Sequence, residues 1–178
     1  MDLAQSYFAL FGLPETFSLD AAQLERARLA VQSQVHPDRF ASGSDRDKRL
    51  AMQMAAQANA AYLTLKNPVQ RASYLCERRG VAVQAENNTA MPTEFLMQQM
   101  QWREALDELR EAADASGLHA LQVEVQAQRA QRIEAIRQAL DEQNAPQAAA
   151  EQVRALLFLD RFVEELRRTA DSLPQPSV

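Results

Sequence analysis

The hydrophobic residues of this chain recur every three or four positions over most of its length, a spacing that predicts helices. Residues 2–13 are rich in apolar side chains and are predicted to form a short helix that ends at Gly12. A second helix follows a cap at Ser18 or Asp20, because either side chain can accept a hydrogen bond from a free first-turn amide. The predicted buried positions of this second helix are Leu24, Val31 and Val35.

A third and longer helix is predicted from the loop at 41–45 to about Leu65. Its small apolar residues allow a close approach, so we expect it to pack antiparallel on the second helix. Asn67 and Pro68 then stop it, and Pro68 suits the first turn of a further short helix that reaches Leu75. The predicted buried stripe of the third helix is Ala51, Met54, Ala55, Ala58, Ala61, Tyr62 and Leu65.

The helical periodicity is lost over residues 77–92, which we interpret as a linker between two domains. The first domain is residues 1–76, the second is residues 93–172, and residues 173–178 are a loose tail. Apolar residues within the linker predict that it is partly docked, so that the two halves form an L rather than swing freely. The residues that interrupt the periodicity are Gly80, Asn87, Asn88 and Pro92.

Three amphipathic helices are predicted after the linker, and short turns between them predict an antiparallel three-helix bundle. The first covers 93–115, with Thr93 as its cap and Gly117 as its stop. The second covers 118–143, and the last follows Pro146 and reaches about Ser172. The predicted fold class is therefore all-α, with a helical hairpin and short flanking helices before the bundle.

The first bundle helix has a second apolar group, which lies away from the stripe that faces the core. On a helical wheel, Leu96 lies about 110° from the centre of that stripe, and Met97 and Met100 lie roughly 150° from it. An exposed apolar group with a polar rim often marks an interface, although side chains off the main stripe are equally often covered by a neighbouring segment. The core stripe is Phe95, Trp102, Leu106, Leu109 and Ala113. The polar residues on the outer side are Gln101, Glu104 and Glu108.

Two residues of the last helix are also displaced from its core face. Phe158 lies about 120° from the core stripe, and Leu157 is similarly placed. Phe158 joins the outer group of the first bundle helix if the two helices are neighbours. Periodicity alone leaves open whether these residues bind a partner or pack against the linker or the first domain.

Composition and charge exclude several functions. The net charge of −5 argues against nucleic acid as a partner, because phosphate binding needs a basic surface. The single cysteine, Cys76, cannot form an internal disulfide, which fits the reducing cytoplasm. Cys76 is predicted to be a buried, small apolar residue. We identify no signal peptide and no apolar run near the roughly 20 residues that cross a bilayer. We therefore expect no membrane association.

The tripeptide His36-Pro37-Asp38 lies between the second and third helices, where Pro37 disfavours helix for the residue before it. An enzyme could use His36 and Asp38 as a general base with its partner, or as metal ligands. The only other histidine, His119, is predicted to be an exposed surface residue, and no triad spacing, zinc set or phosphate-binding glycine loop is found. We therefore predict no catalytic site, no metal and no cofactor. A helix stop with a capping acid is the simpler alternative.

The tripeptide, its two flanking helices and the residues Asn59, Ala61, Tyr62 and Leu65 together resemble a J-domain. The order of this segment and the bundle narrows the resemblance to the HscB family of iron–sulfur cluster assembly. The J-domain half departs at Arg39, where lysine is more frequent, and the bundle departs at Gln101, where an acid is expected. The segments that carry the HscB resemblance are residues 7–13, 67–75, 95–97, 103–108 and 157–160.

The resemblance implies a co-chaperone that stimulates ATP hydrolysis by a DnaK-like partner of the HscA type, to which ATP and magnesium belong. It also implies binding of an iron–sulfur scaffold protein of the IscU type. The implied chaperone-binding residues are His36, Pro37, Asp38, Arg26 and Arg39. The implied scaffold-binding residues are Leu96, Met97, Met100, Gln101, Glu104, Glu108 and Phe158. The alternatives are a J-protein that serves a general DnaK with another client, and a bundle that merely oligomerises.

Overall fold

The computed structural model describes residues 5–35, 43–83 and 91–173. Every regular element in these ranges is a helix, which confirms the predicted all-α class. None of the helices in these ranges has the length and apolar character needed to cross a bilayer. The helices are α1 (Tyr7–Leu10), α2 (Ala21–Val35), α3 (Asp45–Lys66), α4 (Pro68–Arg78), α5 (Thr93–Glu111), α6 (Ala115–Arg137) with a π-helical extension (Gln138–Glu142), and α7 (Pro146–Ser172).

Helices α2 and α3 form the predicted antiparallel hairpin. Val35, at the end of α2, lies beside Ala55 and Ala58 of α3, whereas Arg28, two turns earlier, lies over the ring of Tyr62. The side chain of Asp20 begins α2 by accepting a hydrogen bond from the amide of Ala22 at 2.8 Å, which confirms one of the two predicted caps. Leu24, Val31 and Val35 are buried, as their spacing predicts.

Helix α1 is shorter than the sequence pattern predicts. Of the predicted residues 2–13, residues 2–4 lie outside the described ranges, and the helix spans only Tyr7–Leu10. Ser6 begins it, because its hydroxyl accepts a hydrogen bond from the amide of Ala9 at 3.1 Å. Gly12 ends the turn in the left-handed region, with φ +62°. Leu10 and Phe11 remain buried, so the apolar pattern predicts burial correctly but overestimates the helix.

The connection between α5 and α6 differs from the prediction. Helix α5 ends at Glu111, Ala113 takes φ +50°, and Asp114 caps α6 by accepting a hydrogen bond from the amide of Gly117 at 2.9 Å. Gly117 therefore lies inside α6 and does not stop α5. A Cβ atom at Gly117 would lie 2.2 Å from Cδ2 of Leu109, so the residue permits close approach of the two helices.

The start of α5, the end of α6 and the start of α7 are each formed in a different way. Pro92 is the N-cap of α5, so Thr93 is its first helical residue rather than its cap. Helix α6 does not stop at a turn but widens, and the amide of Gln143 donates to the carbonyl of Gln138 at 3.0 Å. That i to i+5 bond defines a π-helical turn, which adds one residue to the ordinary helical repeat. Pro146 then occupies the first turn of α7.

The two halves of the chain share one hydrophobic core. Helix α4 packs on α7, and the buried residues of both belong to a single continuous cluster. Val81, Val83 and Met91, at the two ends of the segment between α4 and α5, are half-buried against it. Cys76 is buried at this junction and its thiol contacts the carbonyl of Pro146 at 3.5 Å.

Candidate functional site

Of the residues implied to bind the chaperone, Arg26 lies within α2. His36, Pro37, Asp38 and Arg39 fall outside the described residues. Both helices that flank them are firmly anchored: Val35 is buried at the end of α2, and a reciprocal cap begins α3. The structure therefore defines the helix ends on both sides of the predicted turn.

The cap of α3 is a reciprocal pair between Ser44 and Asp47. The hydroxyl of Ser44 accepts from the amide of Asp47 at 3.3 Å, and the carboxylate of Asp47 accepts from the amide of Ser44 at 3.0 Å. The Ser44 hydroxyl and amide together hold the pKa of the Asp47 carboxyl below its usual range. This capping box fixes the direction in which the chain enters α3.

The two arginines of α2 have different surroundings. Arg26 is exposed, as expected for a residue that docks on a partner. Arg28 instead pairs with Glu25 and lies 4.8 Å from the ring centre of Tyr62. The Arg28 guanidinium, which donates to Glu25, lowers the pKa of that carboxyl. The side chain of Arg26 is therefore open to solvent, whereas the charge of Arg28 is engaged within the hairpin.

The outer face of α5 is an exposed apolar surface. Leu96 is 41% exposed, Met97 57% and Met100 63%, whereas Phe95 and Trp102 on the opposite face are buried. The structure therefore confirms that these three residues lie off the core-facing stripe. No other part of the described chain buries them. We call Leu96, Met97 and Met100 the α5 outer face. Its polar neighbours Gln101, Glu104 and Glu108 are also exposed.

An aromatic cluster beneath this face holds α5 on α7. The ring of Trp102 stacks on Phe162 at 6.1 Å, and its indole N–H donates to Glu124 of α6 at 2.8 Å. Phe95 meets Phe158 edge to face at 5.9 Å, and Phe158 stacks on Phe162 at 5.9 Å. These contacts fix the rotation of α5 about its axis, and with it the side on which the α5 outer face lies.

Phe158 belongs partly to this cluster and partly to the surface. Its side chain is half-buried, and the guanidinium of Arg103 lies 5.7 Å from its ring centre. The two helices are neighbours here, which was the condition for Phe158 to join the outer group, since Phe158 touches both Phe95 and Arg103 of α5. A substitution of Phe158 would therefore disturb the bundle as well as any partner that binds there.

Leu157, which shares the displaced position of Phe158, has a different environment. It is half-buried and lines a shallow depression with Tyr7, Val69 and Tyr74 of the first half. Periodicity left open whether Leu157 binds a partner or packs within the chain, and the structure shows that it packs against the first half. Adjacent residues of α7 therefore face different parts of the molecule, which a helical wheel of α7 alone cannot reveal.

Arg103 is a neighbour of this site that sequence reasoning missed. Besides its contact with Phe158, it lies 3.5 Å from the carboxylate of Glu165 on α7, which Arg110 also approaches at 3.9 Å. Arg103 lies between Leu96 and the core stripe on the helical wheel, so its place beside α7 could have been inferred from the displacement of Phe158. The pairing with Glu165 orients Arg103 along the border of the α5 outer face.

The chain has a single thiol, Cys76, which is buried. Burial raises the pKa of the Cys76 thiol to about 11. In the described ranges, no three His, Cys, Asp or Glu side chains are grouped closely enough to hold a metal ion. His119, at the start of α6, is exposed as predicted.

We expect Cys76 to resist alkylation in the folded chain. With a pKa raised by about two units, the thiolate fraction at pH 8 falls about 100-fold, and burial slows the reaction further. The measurement is the rate of iodoacetamide labelling at pH 8, with the denatured chain as control. Labelling of the native chain within a factor of a few of the denatured rate would contradict the buried position.

A helical hairpin with short flanking helices, joined to a three-helix bundle, is the architecture of a J-domain protein with a C-terminal helical domain. A family model described as the HSCB C-terminal oligomerisation domain matches residues 91–167. A co-chaperone protein HscB homolog from Burkholderia vietnamiensis is 51% identical over 166 residues, which cover 93% of this chain and 94% of that relative. The chain belongs to the HscB family of co-chaperones.

Solved structures of the family have the same fold. HscB from Vibrio cholerae aligns with a TM-score of 0.83 and 39% identity, over 96% of this chain and all of that one (100%). The human co-chaperone HscB aligns with a TM-score of 0.86 and 25% identity, over 94% of this chain and 83% of that one. The similarity thus extends over both halves of the chain and over their arrangement.

Proposed function

We propose that this chain binds an HscA-type chaperone through its J-domain and an IscU-type scaffold protein through its bundle, and brings the two together in the cytoplasm. Residues 1–76 carry the first docking surface and residues 93–172 the second, with residues 77–92 between them. The chemistry is ATP hydrolysis by the chaperone, and the chain itself supplies no catalytic group or cofactor. The exposed α5 outer face is the observation that carries the proposal.

On the chaperone side, His36, Pro37 and Asp38 contact the ATPase domain, and the cations Arg26 and Arg39 approach it from the flanks. The carboxylate of Asp38 meets a basic group near the interdomain boundary of the chaperone. Such a charge-assisted contact favours one of two conformations only if it forms more strongly in that conformation. The contact therefore stabilises the state of the chaperone that hydrolyses ATP.

On the scaffold side, Leu96, Met97 and Met100 provide the apolar centre of the interface. Methionine side chains adapt to the shape of a partner because they are unbranched and polarisable. Glu104 and Glu108 form an acidic border that selects a partner with basic residues around an apolar patch. Gln101 and Phe158 complete the surface, Gln101 through hydrogen bonds and Phe158 through the edge of its half-buried ring.

One chain that carries both surfaces raises the concentration of scaffold beside the chaperone. Intramolecular linkage can increase an effective affinity without any new contact, provided that the geometry permits both partners to bind at once. The common core of the two halves supports this proposal, because it limits the arrangements that the two surfaces can take.

The experiment that tests this function is single-turnover ATP hydrolysis by the HscA-type chaperone of the same cell, with this chain, with scaffold, and with both. We expect the chain alone to accelerate hydrolysis, and we expect scaffold to increase that acceleration further. Acceleration without any effect of scaffold would favour the alternative of another client, and a general DnaK in the same assay would test the alternative chaperone. The absence of any acceleration would refute the proposal.

Self-association is a second candidate function, favoured by the description of the matching family model as an oligomerisation domain. The α5 outer face would then bind a second copy of the chain. Sedimentation over a wide range of concentration separates the candidates. A dimer that dissociates when Leu96, Met97 and Met100 are replaced by alanine would favour self-association, whereas a monomer at all concentrations would favour the scaffold.

A further inference from the structure

The π-helical turn at the end of α6 makes a directional contact between the two halves of the chain. Both carboxylate oxygens of Asp141 accept hydrogen bonds from backbone amides that precede α2. Oδ1 accepts from the amide of Phe17 at 2.7 Å, and Oδ2 accepts from the amide of Ser18 at 2.8 Å. A carboxylate that receives two successive backbone amides is held in position and in rotation, since both bonds are charge-assisted.

A second donor from the first half reaches the same π-helical turn. The guanidinium of Arg79, just beyond α4, donates to the backbone carbonyl of Leu140 at 2.6 Å. Leu140 and Asp141 are consecutive residues of the π-helical turn, so this turn accepts hydrogen bonds from two separate segments of the first half. The extra residue of a π turn frees backbone carbonyls from the regular ladder of an α-helix.

The surroundings of Asp141 tie the contact to the core. Phe17 is buried, and the guanidinium of Arg71 lies 5.0 Å from its ring centre. Burial lowers the pKa of Arg71, and the nearby charge of Asp141 opposes that shift. Asp141 therefore faces two backbone amides directly and a half-buried cation at longer range.

These polar bonds differ in kind from the rest of the junction. The packing of α4 on α7 is largely apolar, and apolar contact is not directional, so it limits the arrangements of the two halves without the angular preference of a hydrogen bond. The bonds of Asp141 and Arg79 are short and directional and lie on the α6 side of the junction. Together they join the segment before α2 and the end of α4 to the π-helical turn.

We propose that Asp141 is a positioning residue that holds the α2–α3 hairpin and the α5 outer face at one angle. This inference rests on the proposed function, because the angle matters only if both surfaces are occupied together. Loss of the Asp141 contact leaves each surface intact but spreads the distances between them. The effective concentration of scaffold beside the chaperone then falls, because it is greatest when the connection matches the span between the two sites.

Asp141→Asn tests this inference with a side chain of nearly the same size. One oxygen remains as an acceptor, but the amide group cannot accept from the second backbone N–H. We expect stimulation of the chaperone without scaffold, and binding of scaffold without chaperone, to equal those of the wild-type chain. The additional stimulation due to scaffold should fall about 3- to 10-fold as the effective concentration drops.

A distance measurement provides a readout independent of activity. Spin labels on Ala30→Cys in α2 and Ser116→Cys in α6, both exposed positions, report the angle between the halves, and buried Cys76 stays unlabelled. We expect a narrow distance distribution in the wild-type background and a broad one in Asp141→Asn. Arg79→Gln should broaden it as well, through loss of the bond to Leu140.

Glu142→Gln is the matched control. Glu142 is the next residue of the π-helical turn, is exposed, and pairs with Arg137 of its own helix at 2.7 Å. The Glu142→Gln variant should leave unchanged both the distance distribution between the spin labels and the additional stimulation due to scaffold. A narrow distribution and full scaffold effect in folded Asp141→Asn would overturn the proposal, and so would a lost scaffold effect with unchanged distances. A wild-type chain without any scaffold effect would instead refute the proposed function, whatever the distances.

Discussion

Asp38→Asn is expected to abolish stimulation of the HscA-type chaperone while scaffold binding stays unchanged. The substitution keeps the size of the side chain and removes its charge, so the basic group on the chaperone loses its partner. Truncation of a buried charge pair costs about 2–5 kcal/mol, which corresponds to a loss of at least about 30-fold. The measurement is the single-turnover rate at a fixed concentration of the variant, with scaffold affinity determined in parallel.

The control for this substitution is Asp171→Asn, an exposed acid in the last turn of α7. It changes the net charge of the chain by the same amount at a distance from the hairpin. If stimulation depended only on overall charge, both variants would lose it equally. Undiminished stimulation by Asp38→Asn would contradict the role assigned to the His36-Pro37-Asp38 turn.

Replacement of the whole α5 outer face is expected to have the second large effect. The triple variant Leu96→Ala, Met97→Ala, Met100→Ala removes side chains that are exposed in the free chain and that the proposed complex would cover. At about 1.5 kcal/mol for each half-exposed apolar side chain, the loss is on the order of 1,000-fold in scaffold affinity. Stability should change by less than about 0.5 kcal/mol per site, as is usual for surface substitutions.

A second triple variant controls for the general loss of exposed apolar surface. Met52, Leu63 and Val123 have exposures close to those of the two methionines but lie on α3 and α6. Their replacement by alanine should leave scaffold affinity unchanged. Phe158 is left out of both variants, because its ring packs on Phe95 and Phe162 and its loss would also destabilise the bundle. Equal losses in the two triple variants would contradict the scaffold surface.

The sequence predicts the buried sides of the helices well, because the same contacts recur at every turn of a helix. It predicts the ends of the helices poorly, because single residues determine the turns there. The spacing of Leu24, Val31 and Val35 identifies the buried side of α2, because each turn of a helix meets the same neighbour. The prediction of a stop at Gly117 is wrong because a glycine signals either a left-handed turn or a close contact. The close contact is with Leu109 on another helix, and only the fold brings the two together.

The candidate site divides in the same way. The wheel of α5 predicts that Leu96, Met97 and Met100 leave the core, and their exposure confirms it. The same argument cannot separate Phe158 from Leu157, because both lie off the core face of α7. Phe158 packs against α5, whereas Leu157 packs against the first half, and only the fold shows the difference. The sequence pattern does not point to Asp141 at all, because its partners Phe17 and Ser18 lie more than a hundred positions away.

The central claim is that one chain must carry both docking surfaces at once. The most direct test mixes equal amounts of Asp38→Asn and the triple α5 variant with chaperone and scaffold, and measures single-turnover hydrolysis. Each variant retains the surface that the other lacks. If linkage within one chain matters, the mixture should show no more scaffold-dependent stimulation than the triple variant alone. Recovery of the wild-type scaffold-dependent rate in the mixture would show that the two surfaces work on separate molecules, and would contradict the account.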